Sequence, residues 1–412
     1  MGLINQSGLF SGAGLVDKAG LYNEAGLYVP GLFSPLSLNP LLAYEAESSM
    51  VAPFEQPTLD LDPSDPSSLD IITATRAGVA TYTDADGVIQ SASADTVRVD
   101  HVDGVPMILV EPSATNNVLN KTWYLAGGSS VVGGIDAPDN STDAYRISNI
   151  QSATGDRGYC EPAPIAGGVE YTGSCYVRGT AGETIIVTAK RFSGGTFTAA
   201  DDQFITLTGE WQRVEGLTWT TAAGNISATI VIYNAGASTT ADTLDVWGAQ
   251  LETGSVATSY IPTSGSTVTR NADELVIEGS DFTDFFNSGG DGTFYAEFEA
   301  RNKDDTFYIL SGETSSKRLF YSNIGSATFY SYDGANSLVF GNVQTGLNRA
   351  AISYNSTEQD GSMNGVDAIS KTHNGNFSGI TELLIGNSWS GTAHLNGHIK
   401  RLIYWPYHSD DL

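Results

Sequence analysis

Two glutamates stand two residues apart in the strand-like run Ala296-Glu297-Phe298-Glu299-Ala300. Side chains alternate along an extended chain, so Glu297 and Glu299 share one face and the phenylalanines beside them take the other. Two carboxyl groups roughly 5 Å apart are what a retaining glycosidase uses as acid and nucleophile. That chemistry also needs one carboxyl raised in pKa by burial, and no apolar pocket is legible round either glutamate. The run equally describes an ordinary strand with a solvent face and a core face, and that reading is preferred. His394 and His398 bracket an Asn396–Gly397 turn. Two imidazoles can begin a zinc site, but no third ligand stands at a known spacing, so surface histidines are expected. No G-x-S-x-G, P-loop or dinucleotide fingerprint is present. The expectation is a protein that is not an enzyme.

Aromatic side chains are the other chemical signal. Exposed rings stack on sugars while neighbouring polar groups fix hydroxyls. Trp123, Tyr124, Trp389 and Tyr407 lie beside loop-like stretches and are the candidate glycan contacts. Trp211, Trp219, Trp247 and Trp405 sit in apolar strand patterns and are assigned to cores.

The elements that must position these residues are strands. The chain has 412 residues, 46 of them glycine, and only 16% are charged. Thr, Ser, Tyr and Val are abundant, and no long run has a capped helical period. The fold class is therefore all-β, with two antiparallel β-sandwiches of the jelly-roll or lectin-like kind behind an extended Gly-rich N-terminal arm. Length allows two or three domains. Residues 1–45 form the arm, and residues 46–115 an acidic, Pro-rich linker with a β-hairpin. Residues 116–262 form the first sandwich, and residues 263–412 the second. The run Leu244-Asp-Val-Trp-Gly-Ala-Gln-Leu251 reads as the closing strand of the first. Strict alternation puts Trp247, Ala249 and Leu251 on one face and Leu244, Val246, Gly248 and Gln250 on the other. Asp60, Asp62 and Asp65 read as solvated linker acids.

Net charge is −28, from 47 acidic and 19 basic residues. Such a surface repels nucleic-acid backbones and anionic membranes. Cys160 and Cys175 are too few for a disulfide framework and are expected as reduced thiols. The N-terminus lacks the basic and apolar regions of a secretory signal. Its first thirty residues fall into five hexads, in which Leu3, Leu9, Leu15, Leu21 and Leu27 recur at period six. Six is even, so these leucines share one face of an extended chain. A stripe that one short arm cannot bury wants a partner surface or sister copies.

Two stretches carry a family resemblance. "GAQLETGSVATSYIPTSG…VTRNAD" resembles the junction in tailed-bacteriophage structural proteins where a carbohydrate-binding-module-like jelly roll ends and a concanavalin A/laminin-G-like sandwich follows. "ATRAGVATYTDADGVIQSASADTVRVDH", followed by "GVPMILVEPSATNN", resembles the segment preceding such a jelly roll. The resemblance implies a virion protein, a fibre, spike or decoration subunit of tail or head, assembled in host cytoplasm. It further implies an arm docked on other virion proteins, homotrimeric association, and sandwiches presented to host surface glycans. Modules of this type often hold a structural calcium, for which Asp242 and Asp245 are the candidates; no other cofactor is implied. Glycoside hydrolases on concanavalin-like sandwiches carry a third acid beyond the paired ones, and Asn302 stands there. The alternatives kept are a polysaccharide depolymerase and a secreted bacterial glycan-binding protein.

Overall fold

The computed structural model describes Val16–Asp17, Gly20–Tyr22, Tyr28–Pro30 and residues 56–412, leaving out 151–156, 194–195, 200–201, 225–226, 234–238, 304, 324, 326, 373–376 and 410–411. Among the described residues the only helical elements are the 3-10 turn Pro66–Leu69 and the short α-helix Gly279–Thr283. The other regular elements are antiparallel strands, and the all-β class holds. Of the arm leucines, Leu3, Leu9, Leu15 and Leu27 lie outside the described residues. Leu21 lies in a small antiparallel sheet of three strands, facing Val29 in register.

The first sandwich packs a five-stranded sheet on a seven-stranded one. The five-stranded sheet runs Ser130–Ile135, Ala144–Ser148, Thr243–Thr253, Glu170–Gly179 and Gln212–Thr220. Its inner face meets Ile185, Val187, Ile230 and Ile232 of the other sheet in one core. Cys160 and Cys175 are both free and buried there.

Thr243–Thr253 is the central strand, and its alternation is broken. Gly248 has φ +60°, and the register with Glu170–Gly179 shifts between Ser174 and Tyr176. An added residue in one strand reverses the phase of everything after it. Leu244, Val246, Ala249 and Leu251 therefore all face the core. Trp247 turns to the opposite face, with its ring centroid 4.3 Å from that of Tyr260 and 5.3 Å from that of Tyr176. This corrects the strict alternation expected from the sequence. A left-handed φ favours glycine, and a Cβ at Gly248 would also lie 3.1 Å from the Tyr176 ring.

The second sandwich packs a seven-stranded sheet on an eight-stranded one, and it is not confined to residues 263–412. Gly397–Trp405 pairs on one side with Gly292–Ala300 and on the other with Val105–Val110 and Leu59–Leu61. Thr73–Thr75 adds an edge to the seven-stranded sheet beside Glu274–Glu278. Leu59, Leu61, Ile108 and Val110 are fully buried in the same core as Phe294, Phe298 and Leu402. The acidic linker expected over residues 46–115 is thus, from Thr58 onward, part of a sandwich. Leu-Asp-Leu alternates as a strand should, and Asp60 accepts two hydrogen bonds from the Arg401 guanidinium at 2.9 and 3.0 Å.

The first sandwich is consequently an insertion in the second. Ala114–Asn116 leads into it, Val268–Arg270 leads out, and these two strands pair with each other. The expected hairpin forms as Ala80–Thr83 against Ile89–Ala92. It packs on the outer face of the five-stranded sheet, where Ile89 joins Trp247 and Tyr260 and the Thr81 hydroxyl donates to the Tyr260 carbonyl at 2.5 Å.

At the neck between the sandwiches lies a buried ionic cluster. Glu111 accepts from Arg98 at 2.8 Å, from the Ser259 amide and hydroxyl at 2.6 and 2.7 Å, and from Arg301 at 3.5 Å. Arg270 lies 3.4 Å away. Asp273 accepts from Arg76 at 2.7 Å, from the Glu111 amide at 2.9 Å, and from Arg98. Burial alone would raise the pKa of Glu111, but Arg270, Arg98 and Arg301 hold it well below the ordinary value. The two stretches that carry the family resemblance supply Arg76, Arg98, Glu111, Arg270 and Asp273, and this is where they meet.

Candidate functional site: a polar groove at the edge of the inserted sandwich

A groove of about 580 Å3 opens where the hairpin Ser130–Ile135/Ala144–Ser148 reaches the edge of the first sandwich. Tyr145 and the Gly133–Gly134 pair form one side, Asn120, Lys121 and Thr122 another, and residues 262–268 the far wall. Gly134 has φ +82°, and the hairpin register shifts between Gly133 and Ile135. A side chain at Gly133 would begin 3.3 Å from the Tyr145 ring, so glycine lets that ring lie against the backbone. The far wall is tied in by the Gly265 amide, which donates to the Leu119 carbonyl at 2.8 Å.

The lining is chemically mixed. It has one aromatic ring, the hydroxyls of Thr142, Thr263, Ser264 and Ser266, the amide of Asn120, and an ion pair between Lys121 and Asp143. Exposed pairs of this kind hold their partners weakly, so both ends stay available to a ligand. Asp143 is the only carboxylate in the lining. The arrangement offers stacking and hydroxyl recognition but no acid and nucleophile pair.

None of the four aromatic candidates lines this groove. Trp123 is only 2% exposed and belongs to the first core, so it is no contact residue. Its place in an alternating strand, Trp123–Ala126, turns it inward. Tyr124 points outward and stacks on Tyr159 with centroids 5.8 Å apart. Trp389 is exposed in a loop of the second sandwich. Tyr407 packs on an apolar cluster of Tyr295, Ala351, Ile403 and Trp405. Reading loops for aromatics found Trp123 and Tyr124, next to the groove in sequence, but missed the groove itself. The legible signal was the Gly-Gly pair inside the β-rich run Ser129-Ser-Val-Val-Gly-Gly-Ile135.

Asp245 is not a calcium ligand. It is buried and clamped between two guanidinium groups on neighbouring strands, with Arg146 Nε at 2.7 Å and an Arg178 nitrogen at 2.9 Å. Arg178 in turn lies 4.6 Å over the Trp211 ring. Asp242 is exposed just before the strand Thr243–Thr253, and its carbonyl accepts from the Ile150 amide at 3.3 Å. The sequence could not reveal these arginines, which reach Asp245 only through sheet register.

Glu297 and Glu299 do share the outer face of Gly292–Ala300, since Phe294, Ala296 and Phe298 face the core. Glu297, however, is buried and accepts from Lys400 at 2.6 Å, Tyr295 at 2.7 Å and Arg349 at 2.9 Å. Burial would raise its pKa, but Lys400, Tyr295 and Arg349 together hold it below the ordinary value. An acid catalyst needs the opposite shift. The histidines are not free surface groups either. His398 is buried with Nε2 2.9 Å from Asp100, and His394 Nε2 lies 3.2 Å from Glu274.

No family model matches the chain, and no curated protein matches it. Solved structures do show likenesses. One is to the CBM22-1–GH10 modules of endo-1,4-β-D-xylanase 10B from Clostridium thermocellum, complexed with xylohexaose. It is 18% identical over 34% of this chain and 28% of that chain, with a TM-score of 0.27. Another is to the CBM22-1 xylan-binding domain of Paenibacillus barcinonensis Xyn10C, at 13% identity over 35% and 94% of the two chains and a TM-score of 0.27. A third is to the enzymatically active domain of bacteriophage CBA120 tailspike protein 4, at 13% identity over 34% and 20% and a TM-score of 0.25. Likenesses at this level name no family, and the two-sandwich architecture rests on the strand register itself.

Proposed function

We propose that this chain is a glycan-binding structural protein and that the groove beside Tyr145 receives a neutral oligosaccharide. The observation that carries the reading is the lining: one aromatic ring among hydroxyl, amide and paired charged groups, in about 580 Å3. A net charge of −28 disfavours an acidic polysaccharide. Binding without turnover is supported by the charge-paired state of Glu297. A glycan array on the full chain, with calorimetry on the hits, tests this. Tyr145→Ala is expected to weaken the best ligand about tenfold or more, a loss of roughly 1.4 kcal/mol, while a reducing-sugar assay stays flat. Shortening of a polysaccharide that disappears in Glu297→Gln would replace the binding reading with the depolymerase one.

The setting we propose is a phage virion, as a trimeric fibre, spike or decoration subunit held to the particle by residues 1–45. Support comes from the junction stretches quoted above and from the period-six leucines. Repeated weak sites on several copies would add avidity. Removal of residues 1–30 is expected to leave soluble sandwiches that sediment as monomers and fail to incorporate into particles. Normal incorporation of the shortened chain would remove the arm from the proposal.

A further inference from the structure

The outer face of the eight-stranded sheet carries a group of mixed ligands that the groove does not use. Glu358 and Asp360 stand two apart on the strand Glu358–Met363 and so project from one face. The segment after Gly397–Trp405 crosses that face and brings His408 to them. His408 Nε2 lies 2.8 Å from Asp360 Oδ2. One donor atom from each of the three residues lies within 4.8 Å of the other two. We propose that Glu358, Asp360 and His408 form a binding site for a divalent transition ion of the zinc type.

Three observations support the chemistry. The donors are one imidazole and two carboxylates, a set suited to zinc and its neighbours. Calcium wants six to eight oxygens, which this trio does not supply. The backbone on both sides of His408 is already pinned: the Thr293 hydroxyl donates to the Tyr407 carbonyl at 2.8 Å, and the Ser409 amide donates to the Ser353 hydroxyl at 2.7 Å. Asn355 holds the Glu358 carboxylate from behind at 3.2 Å, as outer partners of ligating carboxylates do. A tetrahedral ion needs donors about 3.4 Å apart, so binding would part His408 from Asp360, now 2.8 Å away, and draw in any donor at the outer limit of 4.8 Å. The ion would also neutralise two neighbouring acids in a chain of net charge −28.

The consequence is a clip. The segment that carries His408 also lays Tyr407 and Leu412 over the apolar cluster of Tyr295, Ile403 and Trp405. An ion bridging His408 to the strand Glu358–Met363 would hold that cover in place.

Titration of the chelator-treated full chain with zinc chloride by calorimetry tests the proposal, with calcium chloride and magnesium chloride as controls. The expected result is one saturable zinc site per chain at micromolar concentration or tighter, and no competition by calcium. His408→Ala and Glu358→Gln should each weaken zinc binding at least tenfold while melting like the wild type in chelator. Zinc should raise the wild-type melting temperature by a few degrees and leave both variants unmoved. Zinc binding within twofold of wild type in either variant, or no saturable site in the wild type, overturns the proposal.

Discussion

Residues 263–412 expressed alone are expected not to fold, although the sequence marks them as a domain. The isolated segment lacks Leu59–Leu61, Thr73–Thr75, Val99–Val102 and Val105–Val110, which complete both of its sheets. Leu59, Leu61, Ile108 and Val110 fill its core. At roughly 1.5–3 kcal/mol for each buried aliphatic side chain, their loss matches a domain's whole net stability of roughly 5–15 kcal/mol. It also strips one side of Gly397–Trp405 and leaves an open hydrophobic edge, so aggregation is expected. The complementary chain is residues 56–412 with 117–267 replaced by a short turn. Asn116 and Val268 are direct cross-strand partners, so a hairpin turn closes the gap. This chain should show strand-rich circular dichroism and a cooperative melt. A cooperative melt of 263–412 on its own would refute the insertion architecture.

Glu111→Ala should cost roughly 3–5 kcal/mol, because it leaves Arg98 and Arg270 buried with half of their counter-charge gone. Both guanidinium groups are almost fully buried, and Ser259 would lose the acceptor of its amide and hydroxyl. Asp143→Ala, which breaks the exposed pair with Lys121, should cost no more than about 1 kcal/mol. Urea unfolding at pH 7 compares the two. Equal costs would mean that the neck cluster is not a structural lock. The same cluster sets the acid limit. The folded-state pKa of Glu111 lies below its unfolded value of 4.5, so its contribution is complete above that value and is lost as pH falls through the folded one. Asp100, lowered by His398 against the opposing effect of burial, and Glu297 act in the same direction. Wild-type stability should therefore decline below about pH 4.5, and Glu111→Ala should decline less over the same range.

Residue types and spacing alone determined the all-β class, because short aromatic-rich runs punctuated by glycine leave no helical alternative. They also determined that Leu244–Leu251 is a strand, that a β-hairpin lies within residues 46–115, and that Glu297 and Glu299 share a face. Each of these is a property of neighbours along the chain, where a period of two is enough.

Tertiary structure decided everything that depends on which distant segment arrives. Asp60 read as a solvated acid until Arg401, 341 residues away, closed on it. Glu297 read as a carboxylate on a solvent face until Lys400 and Arg349 paired with it from neighbouring strands and left it buried. Trp247 read as a core residue beside Ala249 and Leu251 until a left-handed Gly248 reversed the strand's phase. The groove exists only because residues 262–268, where the sequence placed the boundary between the two sandwiches, are tied back beside Leu119. Periodicity reports how a strand divides its faces. It carries no information about the partner that covers each face, and in this chain the partners are set by pairings that enclose one whole sandwich within another.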